Sequence, residues 1–185
     1  VVIDPIKLIE EYGPDALRYF LIRDIPFGED GDFSEDALKA RINGELVSDL
    51  GNLVNRVLTI AQKFDGEIKG KDELSSKLDF KKIEDKMNKL ELHHAVDEIW
   101  AFIRASNKYI NDKEPWNLEG DELGHVLYNL LESLRVISIL VSPFMPETTD
   151  KINKQLEVKA GTLKDLKFKD FKGKPKKGEF LFTKI

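Results

Sequence analysis

The sequence predicts an all-α protein, a bundle of about five main helices followed by a short extended C-terminal tail. Apolar residues recur at intervals of three and four over long stretches. Proline and glycine interrupt this pattern at places that suit the ends of helices. With 185 residues, of which 41% are hydrophobic, the chain can bury a core of ordinary size.

The first predicted helices are short and lie within residues 4–23. Asp4 and Pro5 suit an N-cap and a first helical turn. The run Gly13-Pro14-Asp15 interrupts the apolar pattern and restarts it. A loop rich in proline, glycine and aspartate follows, and Ser34 is placed to cap the next helix.

The most informative helix is predicted over residues 45–64, with Gly66 at its end. One face is an apolar stripe, and the opposite face is polar but almost free of carboxylates. The stripe consists of Leu46, Leu50, Leu53, Val54, Val57, Ala61 and Phe64. The polar face consists of Ser48, Asn52, Asn55, Arg56, Thr59 and Lys63.

A long helix is predicted from about Phe80 to Lys113, because its apolar residues keep the helical period. Pro115 stops this helix, and Trp116 follows at once. The other tryptophan, Trp100, lies among apolar residues and is expected in the core.

Two more helices and a tail complete the prediction. One helix runs from about Glu119 to Val141, and a shorter one runs from Pro146 to about Leu156. Residues 157–185 alternate lysine with apolar residues before a stretch rich in glycine and proline. We therefore expect one or two short extended pieces there, with lysines between 159 and 177 available to phosphate groups or simply solvated.

The charge distribution bears on which classes of molecule the chain can bind. There are 29 Lys and Arg against 34 Asp and Glu, so the net charge is −5, which argues against non-specific phosphate binding. The charge is uneven, however: residues 1–43 hold 5 basic and 10 acidic groups, whereas residues 123–185 hold 12 and 7. A neutral predicted helix and a basic end remain compatible with a few specific contacts to unpaired bases.

No metal site and no catalytic site are predicted. The chain contains no cysteine, and its histidines are His93, His94 and His125. The adjacent pair would point about 100° apart on a helix, which does not suit one metal ion. The spacing of Asp30, Asp32 and Ser34 is that of a calcium loop, but Glu35 stands where an EF-hand needs glycine. Neither a nucleophile elbow nor a glycine-rich phosphate loop is present.

Several segments resemble class I aminoacyl-tRNA synthetases, and their combination resembles the methionyl-tRNA synthetase family over essentially the whole chain. They are Val2-Ile3-Asp4-Pro5, YGPDALRYFL at 12–21, IPFGEDGDFS at 25–34, DLGNLVNR at 49–56, Glu114-Pro115-Trp116 and LFTKI at 181–185. The family's HIGH and KMSKS signatures are absent from their proper places. The run Lys86-Met87-Asn88-Lys89 is similar to KMSKS only in composition and lies in a helical pattern.

The resemblance implies a part of a larger enzyme, and the start at Val1 also reads as the middle of a segment. Residues 1–33 would be a stem-contact segment after the catalytic domain, with Asp15 and Arg18 acting there or against that domain. Residues 34–156 would be the helical anticodon-binding domain. Residues 157–185 would be a tail that packs on the bundle or on the catalytic half.

The resemblance also implies which residues bind the anticodon. In the family an Asn and an Arg four residues apart, and a Trp after a Pro, carry this role, and they correspond to Asn52, Arg56 and Trp116. Residues at i and i+4 are neighbours on one helical face, and amide and guanidinium groups can hydrogen-bond the edges of unpaired bases. Asn55 is a further candidate for an RNA contact. Without the resemblance, these side chains would read as an ordinary solvated face and a hydrophobic plug.

The implied function is recognition of the CAU anticodon of methionine tRNA. The full enzyme would ligate methionine to tRNA with ATP and magnesium, often with a structural zinc in the catalytic half; this part alone would be inactive and hold no cofactor. Its partners would be methionine tRNA and the catalytic domain in the cytoplasm, with neither DNA nor a membrane. The alternatives are the helical domain of another class I synthetase and a helical protein-interaction module.

Overall fold

The structure is a computed structural model that describes residues 3–185. Within these residues it is all-α, as predicted, and contains eight α-helices and one π-helical segment. The α-helices are α1 (Pro5–Tyr12), α2 (Pro14–Asp24), α3 (Glu35–Arg41), α4 (Asn52–Ala61), α5 (Phe80–Asn88), α6 (Leu92–Lys113), α7 (Gly120–Val141) and α8 (Pro146–Leu156). The π-helical segment is Ile42–Gly51 and joins α3 to α4 without a break.

The predicted caps of the first helices are confirmed. The Asp4 carboxylate accepts a hydrogen bond from the Ile6 backbone N–H at 3.0 Å at the start of α1. The Ser34 hydroxyl accepts one from the Ala37 N–H at 3.2 Å at the start of α3. Gly13 separates α1 from α2 at φ 84°, a conformation that favours glycine. Val2, where the first resembling segment begins, lies outside the described residues, as does Val1.

Asp15 and Arg18, expected to act in the stem-contact segment or against the catalytic half, make contacts within the bundle. The buried Asp15 carboxylate accepts hydrogen bonds from the backbone N–H and the hydroxyl of Thr148, near the start of α8, at 2.6 and 2.7 Å. Arg18 donates to the carbonyls of Phe144 and Pro143, just after α7, at 2.7 and 2.9 Å. Both side chains therefore fasten α2 to the turn between α7 and α8, where they satisfy backbone groups at helix ends.

The helix predicted over 45–64 belongs to a longer helical stretch that begins before residue 45 and contains a π-helical part. The chain is helical from Glu35, is wound as a π-helix over Ile42–Gly51, and ends as α4 at Ala61, before Gly66. Gly51 lies where the windings meet, and a Cβ there would be 3.0 Å from the carbonyl oxygen of Leu46. The apolar stripe still faces the core, because Leu46, Leu50, Leu53, Val54 and Val57 are all buried.

The single helix predicted from Phe80 to Lys113 is wrong, because the structure divides it into α5 and α6. Leu90 adopts φ 59°, and its N–H donates to the carbonyl of Met87 while the Glu91 N–H donates to that of Lys86. These two bonds form a Schellman motif, which usually has glycine at the left-handed position. A leucine there gave no sequence signal for a helix end.

Helix α7 is the centre of the bundle. Leu127, Leu130, Leu134 and Ile137 are buried, as predicted, and most of its other side chains are buried too. Its length and composition alone would allow it to span a membrane, but 94% of its most apolar window is buried among the other helices. Such burial is typical of the central helix of a bundle. Trp100 of α6 is also in the core, 2% exposed, with its ring centroid 4.6 Å from that of Tyr19.

The tail differs from the expected extended pieces. Among residues 3–185 no strand is formed, and the tail contains one short 3₁₀ turn, Leu163–Asp165, in otherwise irregular chain. Arg135 of α7 donates to the carbonyls of Asp165 and Lys167, at 2.5 and 3.0 Å. Its ion pair with Glu132 is buried beneath them. The tail therefore packs on the bundle through buried polar groups instead of a sheet.

Candidate nucleic-acid interface

The first residues of α4 present the polar face that the sequence predicted. Asn52 is the first residue of α4 and is exposed, while Asn55 and Arg56 are partly buried. Asn52 and Arg56 are one helical turn apart, so their side chains lie on the same side of α4. Within the described residues, the side-chain amides of Asn52 and Asn55 make no hydrogen bond to another protein group. Their donors and acceptors are therefore available to a ligand.

Arg56 is held in place by helix α6. Its Nη2 atom donates a hydrogen bond to Oδ1 of Asn111 at 2.7 Å. Partial burial lowers the pKa of Arg56, yet an arginine remains protonated at neutral pH. The contact fixes one end of the planar guanidinium group and leaves its other N–H donors to face a ligand.

Two more polar contacts join the same face of α6 to the π-helical segment. Arg104 Nε lies 3.0 Å from the Asp49 carboxylate, and Asn107 Nδ2 donates to the Asp49 backbone carbonyl at 3.0 Å. Arg104, Asn107 and Asn111 follow each other at helical intervals of three and four residues. We call these three residues the α6 polar seam. The seam fixes the orientation of the π-helical segment and α4 relative to α6.

Trp116 is presented by the turn that follows α6. Glu114 adopts a left-handed conformation, φ 45°, Pro115 is buried, and the indole of Trp116 is 58% exposed. The buried proline anchors the turn, and the tryptophan next to it points outward. A large aromatic group exposed on an ordered turn is a suitable platform for stacking.

A cleft of about 510 Å³ connects Trp116 with the end of α4. Thr59 and Lys63, from the predicted polar face, line it together with Trp116. The described lining residues do not include Asn52, which lies one turn before Arg56 and further from the cleft. The structure thus places Trp116 beside the C-terminal half of α4 and places Asn52 and Arg56 on its first turns.

Asn111 is a candidate that the sequence alone did not single out. It lies four residues before Pro115, and its place on a long, charged helix gave no distinguishing signal. The spacing of the α6 polar seam was the available hint, because three polar residues at that spacing share one side of α6. Their pairing with Asp49 and Arg56, over 50 residues away, requires the tertiary structure.

The histidines have structural surroundings. His125 Nδ1 accepts a hydrogen bond from the Lys71 N–H at 3.2 Å, and its Nε2 lies 3.1 Å from Glu73. The rings of His93 and His94 have centroids 3.9 Å apart. Among residues 3–185, no three His, Asp or Glu side chains are grouped so that they could hold a metal ion.

Two family models match the chain. Residues 76–181 match the anticodon-binding domain of tRNA ligases, and residues 1–58 match the class I tRNA synthetases of the methionyl type. The match over residues 1–58 ends just after Arg56, and the match over residues 76–181 includes Asn111 and Trp116.

Curated relatives and solved structures agree with these matches. The chain is 43% identical to the methionine–tRNA ligase of Caldanaerobacter subterraneus and 38% identical to that of Bacillus subtilis; each alignment covers all of this chain. It covers 32% and 31% of those proteins, so it spans about a third of their length. The free form of Mycobacterium tuberculosis methionyl-tRNA synthetase superposes with a TM-score of 0.89 at 28% identity, over 100% of this chain and 41% of that one.

The alternative of a different class I synthetase is not favoured, because the relatives named above are all methionine enzymes. The helical architecture, the matched segments and the relatives support one assignment. The chain belongs to the family of anticodon-binding domains of tRNA ligases, in the form found in methionyl-tRNA synthetases.

Proposed function

We propose that the chain recognises the CAU anticodon of methionine tRNA. From α4, Asn52 and Arg56 bind base edges or phosphate of the RNA, and Asn55 adds a further RNA contact. Trp116 stacks on an unpaired base. The observation that carries the proposal is the arrangement of Arg56, held by Asn111 of α6, and the exposed Trp116 on the turn after α6. The cleft between Trp116 and α4 offers room for an extruded base.

The chain acts, in this proposal, as one part of an enzyme that ligates methionine to tRNA in the cytoplasm. ATP, magnesium and any structural zinc would serve the catalytic half, which is the chain's second partner. The role of the described part is to bind and orient the tRNA by its anticodon loop. Binding energy from contacts remote from the reacting groups then contributes to the rate of ligation.

Titration of the chain with anticodon stem-loops that carry CAU or altered triplets, at one fixed salt concentration, tests the proposal. We expect the CAU stem-loop to bind most tightly. Trp116→Ala should weaken binding of the CAU stem-loop, because base stacking on an aromatic ring contributes roughly 1–3 kcal/mol. Leu163→Ala is the control, since Leu163 is a large exposed apolar residue, 61% accessible, outside the cleft.

Circular dichroism of Trp116→Ala should match that of the unaltered chain, because the indole contributes little to the core. Equal affinity for every triplet would contradict anticodon recognition, whereas absence of affinity for any stem-loop would favour a protein-interaction role. An unchanged affinity of Trp116→Ala for the CAU stem-loop would exclude the stacking role of this residue.

A further inference from the structure

A groove between α8 and the tail gathers four lysine side chains. They are Lys151, Lys154, Lys176 and Lys177, and the groove has a volume of about 500 Å³. Among the described residues that line it, Glu179 is the one acid. A surplus of positive charge therefore collects at one place on a chain whose net charge is −5.

Gln155 of α8 holds the two sides of this lysine groove together. Its backbone carbonyl accepts from the Lys176 N–H at 2.7 Å, and its side chain bonds the Gly178 N–H at 2.8 Å and the Glu179 carbonyl at 3.2 Å. A Cβ at Gly178 would lie 3.0 Å from Gln155 Cδ, so glycine permits this close approach. These hydrogen bonds hold the backbone of tail residues 176–179 against α8.

Among the described residues, the four lysines of the groove have no carboxylate partner, unlike several lysines elsewhere in the chain. In the described part of the chain none of them lies within 4.0 Å of a carboxylate, whereas Lys82 pairs with Glu98 at 2.6 Å and Lys86 with Glu91 at 2.6 Å. Like charges held close together cost free energy, and a bound anion offsets that cost. The arrangement is therefore suited to an anionic ligand with several charges.

The lysine groove adjoins the end of α4. Gln62, just after α4, donates from Nε2 to the Pro175 carbonyl at 2.7 Å, next to Lys176. Lys63, the neighbour of Gln62, lines the cleft of Trp116. Phe180 lies at the groove and is 66% exposed, so an aromatic surface accompanies the basic groups. Positive charge beside an exposed aromatic ring is typical of surfaces that bind nucleic-acid strands.

We propose that the lysine groove binds phosphodiester groups of the RNA whose loop lies in the Trp116 cleft. The inference rests on the proposed function, because it takes the same RNA as the ligand. The contacts are electrostatic and independent of base sequence, so they add affinity without altering the preference for a triplet.

The salt dependence of binding tests this site separately from the anticodon site. For Lys151→Ala/Lys176→Ala, the slope of log affinity against log salt should become shallower by about 1.4 to 1.8, as expected for the loss of two phosphate contacts. The ratio of affinities for CAU and altered stem-loops should not change. Lys77→Ala/Lys81→Ala removes the same charge from exposed positions outside the groove and should leave the slope unaltered.

Lys151→Arg/Lys176→Arg keeps both charges and should restore the slope, and circular dichroism should be the same for all variants. A slope that falls equally in the groove variant and in the control, or in neither, would overturn the proposal. A shallower slope in the groove variant alone supports the lysine-groove proposal, whatever the triplet preference. Equal binding of every triplet would contradict only the anticodon proposal. A chain without affinity for RNA at low salt would overturn both proposals.

Discussion

The guanidinium of Arg56 is oriented by a hydrogen bond to the neutral amide of Asn111. An aspartate at this position would neutralise the arginine and reduce its attraction for RNA, whereas an amide orients it and leaves the charge available. A fixed planar fork also loses less side-chain entropy when it binds. Under the proposed function, Asn111 is therefore a positioning residue that would act on RNA through Arg56.

A double-mutant cycle measures this coupling. Arg56→Ala should weaken binding of the CAU stem-loop by roughly 1–3 kcal/mol, the usual range for a well-placed arginine on a base edge. Asn111→Ala should have a smaller effect, and that effect should vanish when Arg56 is already alanine, because the partner that it orients is gone. Asn88→Ala, at the exposed end of α5, is the control. Equal effects of Asn111→Ala in both backgrounds would show that Asn111 does not act through Arg56.

At the scale of elements, the connection between α4 and α5 is fastened by Glu73. Its carboxylate accepts from the Tyr109 hydroxyl at 2.7 Å and lies 2.9 Å from Lys113 Nζ and 3.1 Å from His125 Nε2. The bond from Lys113, followed by that from Tyr109, lowers the pKa of Glu73 from 4.5 to about 2. Burial comes first among the causes that raise the pKa of Tyr109, followed by its bond to Glu73. One carboxylate thus ties the connection to α6 and α7, the helices that carry or adjoin Trp116.

The lowered pKa of Glu73 gives an expected pH dependence of stability. A carboxylate whose pKa is lower in the folded state stabilises the fold above its unfolded pKa, and this contribution is lost as the pH falls from about 4.5 towards 2. Its side chain is 37% exposed, so solvent screening keeps the contribution well below that of a buried pair. Urea unfolding of the chain and of Glu73→Gln should differ most at pH 7, and the two should converge only as the pH approaches 2. A difference that stays constant over this range would contradict the role of Glu73.

The helices that the sequence predicted well are those with local signals at both ends. Asp4, Ser34, Pro115 and Pro146 act on the chain beside them, so their effects could be inferred directly. The end of α5 at Leu90 and the winding of the π-helical segment could not, because leucine is rare at positive φ and the π-helix has no distinct apolar period. Neither the residue types nor the apolar spacing at these two places marked a change in the chain's conformation.

At the scale of the whole molecule, the bundle is joined by polar contacts between residues far apart in sequence. Asp15 and Arg18 connect α2 to the turn between α7 and α8, more than 120 residues away. The sequence could show that such residues are charged, but it could not show which helix ends they would meet. The polar face that carries Asn52 and Arg56 could be predicted because it depends only on residues four apart in one helix. The resemblance to methionyl-tRNA synthetases also pointed to these two residues.

The tail is anchored on α7 by the buried pair of Glu132 and Arg135. Besides pairing with each other at 2.7 Å, they hold the tail, because Glu132 also accepts from the Lys169 N–H at 2.6 Å. Arg135 bonds two tail carbonyls, as described above. A buried pair gains little net stability over apolar residues of the same size, but removal of one partner leaves a buried charge uncompensated. The pair therefore serves mainly to fix the tail on α7.

Single and paired substitutions separate these two effects. Arg135→Met should lower the free energy of unfolding by about 3 to 5 kcal/mol, because Glu132 is left buried and unpaired. Glu132→Leu/Arg135→Met should recover most of that loss in the bundle, yet the tail amide of Lys169 should exchange hydrogen faster because its acceptor is gone. Denaturant unfolding and hydrogen exchange measure the two quantities. A paired variant as unstable as Arg135→Met would show that the ion pair itself stabilises the core. Unchanged hydrogen exchange at the Lys169 amide would show that other contacts hold the tail.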